Sequence, residues 1–304
     1  MKTATLDNPA RPANAVTRPA LKWRIISTLL STVGRLSAGI DIGYRHGFDS
    51  GIMLDRVYEN RASGRYLVGR VIDRFYLDTL GWRAIRARRQ LLKRILHDEI
   101  DRALDRPERR VVLLDVASGP GRYLLELCQE MKASDSALDL SERLSVICRD
   151  LSLPALEQGR TLARSAGVQN IRYEPGDAVD GASLATVNPR PHIVVVSGLY
   201  ELFTDHTLIS TSMSCIFDIL MPGGRLVFTT QVTHPQLEFI ANVLVNRNGE
   251  PWVMLCRSIA EVEALAAQAG FTVLQSTTEP LGLFAVTTCE KPQNPSTHPP
   301  EAGR

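Results

Sequence analysis

The chain has 304 residues, 44% hydrophobic and 22% charged, which suits one α/β domain with an extension or two small domains and excludes a disordered chain. Its net charge is only +2, yet residues 1–110 carry 22 Lys/Arg against 12 Asp/Glu and the remainder 13 against 21, so a basic half precedes an acidic one. The five cysteines form no C-x-x-C pair and sit mostly in apolar runs, which argues against a zinc site and for reduced core thiols in a cytoplasmic protein. No apolar run is long enough to span a bilayer, and no secretory leader is expected.

Residues 1–20, rich in Pro, Ala and Thr, predict a disordered tail. Between Leu21 and Arg35, apolar residues recur at helical spacing with Lys22, Arg24 and Arg35 among them. This predicts an amphipathic helix that either covers the body or lies on a membrane surface. Gly43, Gly47 and Gly51 are expected to break the chain, and a long helical region then runs from Leu67 to Leu104, interrupted near Gly81-Trp82. Arg83, Arg86, Arg88, Arg89, Lys93 and Arg94 cluster there. Such a cluster is either a solvated helix face or an attraction for an anionic partner, a phospholipid surface before nucleic acid, because aromatic residues for base stacking are sparse. Residues 21–107 are therefore assigned to a helical extension or lid.

The body starts with Val111-Val112-Leu113-Leu114, a buried parallel strand that runs into Asp115 and then Val116-Ala117-Ser118-Gly119-Pro120-Gly121, with a helix from Tyr123. Gly119 and Gly121 can take positive φ and let backbone touch a ligand, and Asp115 places a carboxylate where a cationic ammonium or sulfonium could meet it. The dinucleotide pattern G-x-G-x-x-G fails, because Leu124 holds its third glycine position. After a polar insertion, Lys132–Glu142, a second strand runs from Leu144 to Asp150, and a helix from Pro154 to Ala166 stops at Gly167. Asp150 is the expected acid at that strand end; Asp139 is the alternative.

A third strand near Ile171–Glu174 leads into Asp177-Ala178, and a fourth, His192–Val196, opens onto Ser197-Gly198-Leu199-Tyr200-Glu201. A helix over Thr207–Leu220, with His206 as its expected cap, stops at Pro222-Gly223-Gly224 before a fifth strand, Arg225–Thr230. Helices follow around Leu237–Val245 and from Ser258, where Ser258 and Glu261 fit a capping box. Phe271–Ser276 and Leu283–Thr288 predict an antiparallel hairpin, and residues 291–304 a polar tail.

Over residues 108–290 this order resembles the class I S-adenosylmethionine-dependent methyltransferases: the Asp115 loop, Asp150, Asp177, the Pro222-Gly223-Gly224 turn and the terminal hairpin. A narrower resemblance, carried by Gly47-Phe48-Asp49-Ser50-Gly51, Leu54-Asp55-Arg56-Val57-Tyr58, Asp78–Arg83, Ser197–Phe203 and His234-Pro235-Gln236-Leu237-Glu238, is to a bacterial "putative methyltransferase" family. Its members often sit behind an α/β-hydrolase-like domain; this chain carries no G-x-S-x-G elbow, so the hydrolase half is expected to be absent. The resemblance implies an α/β, Rossmann-like, seven-stranded sheet with a helical N-terminal extension, and S-adenosylmethionine as cofactor. It implies a cofactor site of Asp115, Ala117, Ser118, Gly119, Gly121, Asp150 (ribose), Asp177, Ala178 (adenine) and Ser197, with Ala117 replacing a glycine common in such enzymes.

Methyl transfer from a sulfonium is an in-line displacement that needs alignment, desolvation and sometimes a base. His234, just past the fifth strand, is the first candidate for base or substrate anchor, followed by Glu201 and Tyr200. Ser197-Gly198-Leu199-Tyr200 is not the Asn/Asp-Pro-Pro-Tyr/Phe loop of nucleobase amine methylation, lacks the carboxylate of magnesium-assisted O-methylation, and no Pro-Cys nucleophile follows that strand. The expected acceptor is a small molecule or lipid, with a non-catalytic binding protein on anionic membrane or nucleic acid, or a nicotinamide-dependent oxidoreductase, as alternatives.

Overall fold

A computed structural model describes residues 20–105, 110–134 and 140–293; Asp139, the boundary at 107/108 and most of both predicted tails lie outside them. Five helices lead the chain: α1 (Leu21–Ser31), α2 (Ala38–His46), α3 (Gly51–Glu59), α4 (Tyr66–Leu77) and α5 (Leu80–Leu104), with a 3-10 turn at Val33–Leu36. The body alternates β1 (Val111–Val116), α6 (Arg122–Ser134), α7 (Leu140–Arg143), β2 (Leu144–Asp150), α8 (Leu153–Ala166), β3 (Ile171–Pro175) and α9 (Gly181–Ala185). It continues through β4 (Ile193–Val196), a 3-10 turn at Tyr200–Leu202, α10 (His206–Ile219), β5 (Arg225–Gln231), α11 (Leu237–Val243), α12 (Ile259–Gln268), β6 (Thr272–Thr278) and β7 (Phe284–Glu290).

The strands form one sheet in the order β3-β2-β1-β4-β5-β7-β6, parallel from β3 to β5, with β7 antiparallel to both of its neighbours. The strand order reverses between β1 and β4, and at such a switch point the carboxyl ends of the strands open a ligand crevice. Every residue of β1 and β4 is buried, as expected where helices cover both faces. Alternate residues divide between two cores: Leu113, Val146 and Val195 face one, Leu114, Ile147 and Val194 the other. Caps set several boundaries. The Ser258 hydroxyl accepts from the Glu261 N–H in the expected capping box, and Gly167, at φ +66, ends α8.

The helical arm belongs to the first core. Helix α5 packs on β7, α6 and β1, and its Leu92, Leu96 and Ile100 are buried with Leu113 and Val286 in one cluster. Each such side chain contributes about 1.5–3 kcal/mol by leaving water. The basic cluster is largely consumed by this packing. Arg88 is buried against Glu201, Arg89 and Lys93 meet Glu126, and Lys93 also meets Glu130, so only Arg83 and Arg94 of the six are fully exposed.

Local expectations change for tertiary reasons. Gly43 lies inside α2, where a Cβ would enter the Phe48 ring, and Gly81 lies inside α5, where a Cβ would come within 2.8 Å of His234 Nε2. The α4–α5 break falls at Asp78-Thr79 instead. Asp205, not His206, caps α10, accepting from the Thr207 N–H at 2.8 Å.

Candidate active site

The loop after β1 turns three times through positive φ: Ala117 at +59°, Gly119 at +55° and Gly121 at +66°. For alanine that conformation costs about 1–2 kcal/mol, which is why a glycine is the easier choice at 117. Each close approach is filled: a Cβ on Gly121 would lie 2.9 Å from Cys148 Sγ, and one on Gly119 would lie 3.1 Å from the Cα of Gly51. The arm therefore reaches the loop at the N-terminus of α3, where the Ser50 hydroxyl accepts from the Met53 N–H.

Asp115 is completely buried at the end of β1. Its Oδ2 accepts from the Tyr123 hydroxyl at 2.6 Å, while Oδ1 is buried with no hydrogen-bond partner. Burial, opposed by Tyr123 and reinforced by Asp150, pushes its carboxyl up to about 8. A buried acceptor left unpaired is costly unless a donor arrives from a ligand. Asp150 closes β2 as expected; its Oδ2 accepts from the Gly119 N–H and its Oδ1 from the Ser152 N–H, both at 2.8 Å. It thus stands against the loop with lone pairs to spare. Asp177 caps its own turn through the Val179 N–H, the Ala178 side chain lies in the second core, and the Ser197 hydroxyl is buried without a partner.

Beside the switch point lies a cavity of about 340 Å³ between the arm and the sheet. Its walls are apolar, and include Trp82 and Trp252 stacked at 6.3 Å and an interplanar angle of 21°. Polar groups line it too: Asp49, Arg88, Glu201, Gln231 and His234. Gly198, which also lines it, follows Ser197, and Asp49, another lining residue, lies two residues before Gly51, which touches Gly119 of the loop.

Two of the three predicted catalytic residues reach this cavity. Arg88 Nη1 donates to Glu201 Oε1 at 2.9 Å, leaving Glu201 Oε2 buried and unpartnered. Burial raises the Glu201 carboxyl, against the pull of Arg88. His234 Nδ1 accepts the Gln236 N–H at 3.1 Å, so its neutral ring carries the proton on Nε2, beside Gly81, and burial lowers its basicity. In that tautomer Nε2 donates, which suits the anchor role of the two expected for it. Tyr200 does not line the cavity. It points to the opposite face of the sheet, among Phe203 and Phe228, with its hydroxyl 3.3 Å from Ser212 Oγ.

Asp49, Arg88 and Gln231 were not singled out as site residues from the sequence. One signal for Arg88 was present: it sits on the apolar stripe Ala84/Ile85–Leu91/Leu92–Ile95 of α5, where an arginine must find a buried partner. Among the described residues no cluster of His, Cys, Asp and Glu is arranged to hold a metal.

Residues 2–291 match the family described as "Putative methyltransferase". The uncharacterized protein YnbC of Escherichia coli K12 is 36% identical over 277 residues, 90% of this chain and 46% of that protein, so the chain spans about half the length of this curated relative. Among solved structures, a "possible exported protein" of Bordetella parapertussis aligns with TM-score 0.59 at 20% identity, covering 80% of this chain and 79% of that one. Magnesium protoporphyrin IX methyltransferase (ChlM) of Synechocystis PCC 6803, solved with bound SAH, aligns with TM-score 0.53 at 13% identity, covering 86% and 99%. Both share the overall fold of this chain. The chain belongs to the "Putative methyltransferase" family and has the class I methyltransferase fold.

Proposed function

We propose that the protein transfers a methyl group from S-adenosylmethionine to an amphipathic, largely apolar acceptor held in the cavity beside the glycine loop. The observation that carries this reading is Asp115 Oδ1, a fully buried carboxyl oxygen with no partner, at the end of the first strand of a switch-point crevice. An ammonium group is the ligand that such an oxygen accepts best. Asp150, already bonded to the Gly119 N–H, offers remaining lone pairs to a ribose, and the positive-φ loop lets a nucleoside lie against backbone. When bound, the cofactor supplies an electrophilic methyl on sulfonium.

The chain's own residues supply the rest. Stacked Trp82 and Trp252 hold an apolar body and exclude water, the Nε2–H of His234 anchors a polar head, and Glu201 Oε2 receives the acceptor's proton while Arg88 keeps the carboxylate aimed. No observation favours the nicotinamide or the non-catalytic reading.

The test is incubation of the protein with methyl-labelled S-adenosylmethionine and a combined lipid and metabolite extract. Label should appear in a product that partitions into organic solvent, and Glu201→Gln should cut its formation by about 10²–10⁴-fold. Label confined to water-soluble products would contradict the proposed acceptor class, and none in any fraction would contradict the reaction.

A further inference from the structure

The helical arm turns a face to solvent that is apolar and basic at once. Along α1, Leu21, Ile25 and Leu29 recur every fourth residue and Val33 continues the row, each more than half exposed. On α4, Leu67, Val71 and Phe75 repeat the spacing with Val68 beside them, 47–75% exposed. The other rows of the same helices, Trp23, Ile26 and Leu30 on α1 and Ile72 and Tyr76 on α4, pack against the core instead. The 3-10 turn after α1 lies on α4, and the Leu36 carbonyl approaches Gly69 so closely that a Cβ would not fit. Contiguous exposed apolar rows of this kind mark an interaction surface.

The charged residues of its two segments are all basic. Residues 21–36 contain Lys22, Arg24 and Arg35 and no acid; residues 61–72 contain Arg61, Arg65 and Arg70 and no acid. All six are exposed. Lys22 and Arg35 meet Glu238 and Asp41, carboxylates of neighbouring segments. Leu30, from the inward row of α1, and the 75% exposed Phe75 of α4 both line the cavity, so it extends between the two helices.

We propose that this face docks on an anionic bilayer and that the acceptor enters the cavity between α1 and α4 directly from it. Apolar rows inserted at the headgroup boundary with arginines at their edge are the makeup of an interfacial helix surface. A second copy is a poor occupant, because a two-fold contact would set these arginines against themselves. Entry of the acceptor rests on the catalytic reading of the cavity; docking does not.

The test uses the full chain and sucrose-loaded vesicles of phosphatidylcholine with or without phosphatidylglycerol, sedimented at low and high salt. Binding to the anionic vesicles should be at least about tenfold tighter than to the neutral ones and should weaken with salt. Arg65→Glu with Arg70→Glu, and separately Leu67→Ser with Val71→Ser, should each lose at least about tenfold. Calorimetry with S-adenosylmethionine reports folding: both variants should match the wild type. Equal binding to the two vesicle types, no binding to either, or variants that bind like the wild type would overturn the docking, as would a wild-type dimer that the serine variant dissolves. A wild type that sediments with anionic vesicles yet takes up no S-adenosylmethionine would support the docking and count against the catalytic reading alone.

Discussion

Asp115 should make the free protein less stable as pH rises, and Asp115→Asn should remove that dependence. The carboxyl is fully buried, with one oxygen on the Tyr123 hydroxyl and the other unpaired, and burial pushes it up to about 8. In an unfolded chain it titrates near ~3.9. Between those two values the folded state keeps a proton that the unfolded state has released, so the sign is a loss of stability with rising pH, about 1.4 kcal/mol per unit. From about pH 5 to about pH 8 this amounts to roughly 4 kcal/mol, a large share of the ~5–15 kcal/mol that a folded domain has. Asparagine keeps an oxygen for Tyr123 and carries no charge. Urea unfolding at a series of pH values should show the Asn variant gaining on the wild type up to about pH 8, and a constant difference above it. Saturating S-adenosylmethionine should narrow that gap, since its ammonium would pair the buried charge. Parallel profiles for the two proteins between about pH 5 and about pH 8 would refute the claim that the Asp115 carboxyl is buried with one oxygen unpaired.

Other consequences follow from the cavity. Arg88→Met leaves Glu201 buried without its partner and should cost about 3–5 kcal/mol in urea unfolding, whereas adding Glu201→Gln should restore most of it. A methyl group on Gly81 would meet His234 Nε2 at 2.8 Å, so Gly81→Ala should raise KM for the acceptor while the affinity for S-adenosylmethionine stays unchanged. His234→Ala should raise the same KM, and His234→Gln, which keeps an N–H donor, should recover part of the loss; a pure base role would show instead as a fall in kcat that Gln leaves unrescued.

Much of the body was legible because its signals are local. Four apolar residues, an acid and two glycines mark β1 and its loop, and Leu144–Asp150 and Pro222-Gly223-Gly224 fall where sheet order requires them. The arm was harder. Its glycines resemble chain breaks in sequence, yet Gly43 and Gly81 lie inside helices where the Phe48 ring and the His234 imidazole leave no room for a Cβ, and neither neighbour can be inferred from spacing. Tyr200 follows β4 by only a few residues, but the 3-10 turn at Tyr200–Leu202 turns its ring to the opposite face from the cavity while Glu201 faces in. The arginine cluster reads equally as a solvent-facing charge run or a site for an anionic partner, because its carboxylates, Glu126, Glu130 and Glu201, lie 33 to 113 residues away.

Calorimetric titration of the full chain with S-adenosylmethionine tests the central claim most directly. One site is predicted on the wild type. Asp115→Ala should weaken it by about tenfold or more through the lost charged hydrogen bond. Gly119→Val, which forces a branched side chain to φ +55 against Gly51, should abolish it. Unchanged affinity in both variants would contradict the placement of the cofactor on this loop, and no binding to the wild type would contradict the catalytic reading.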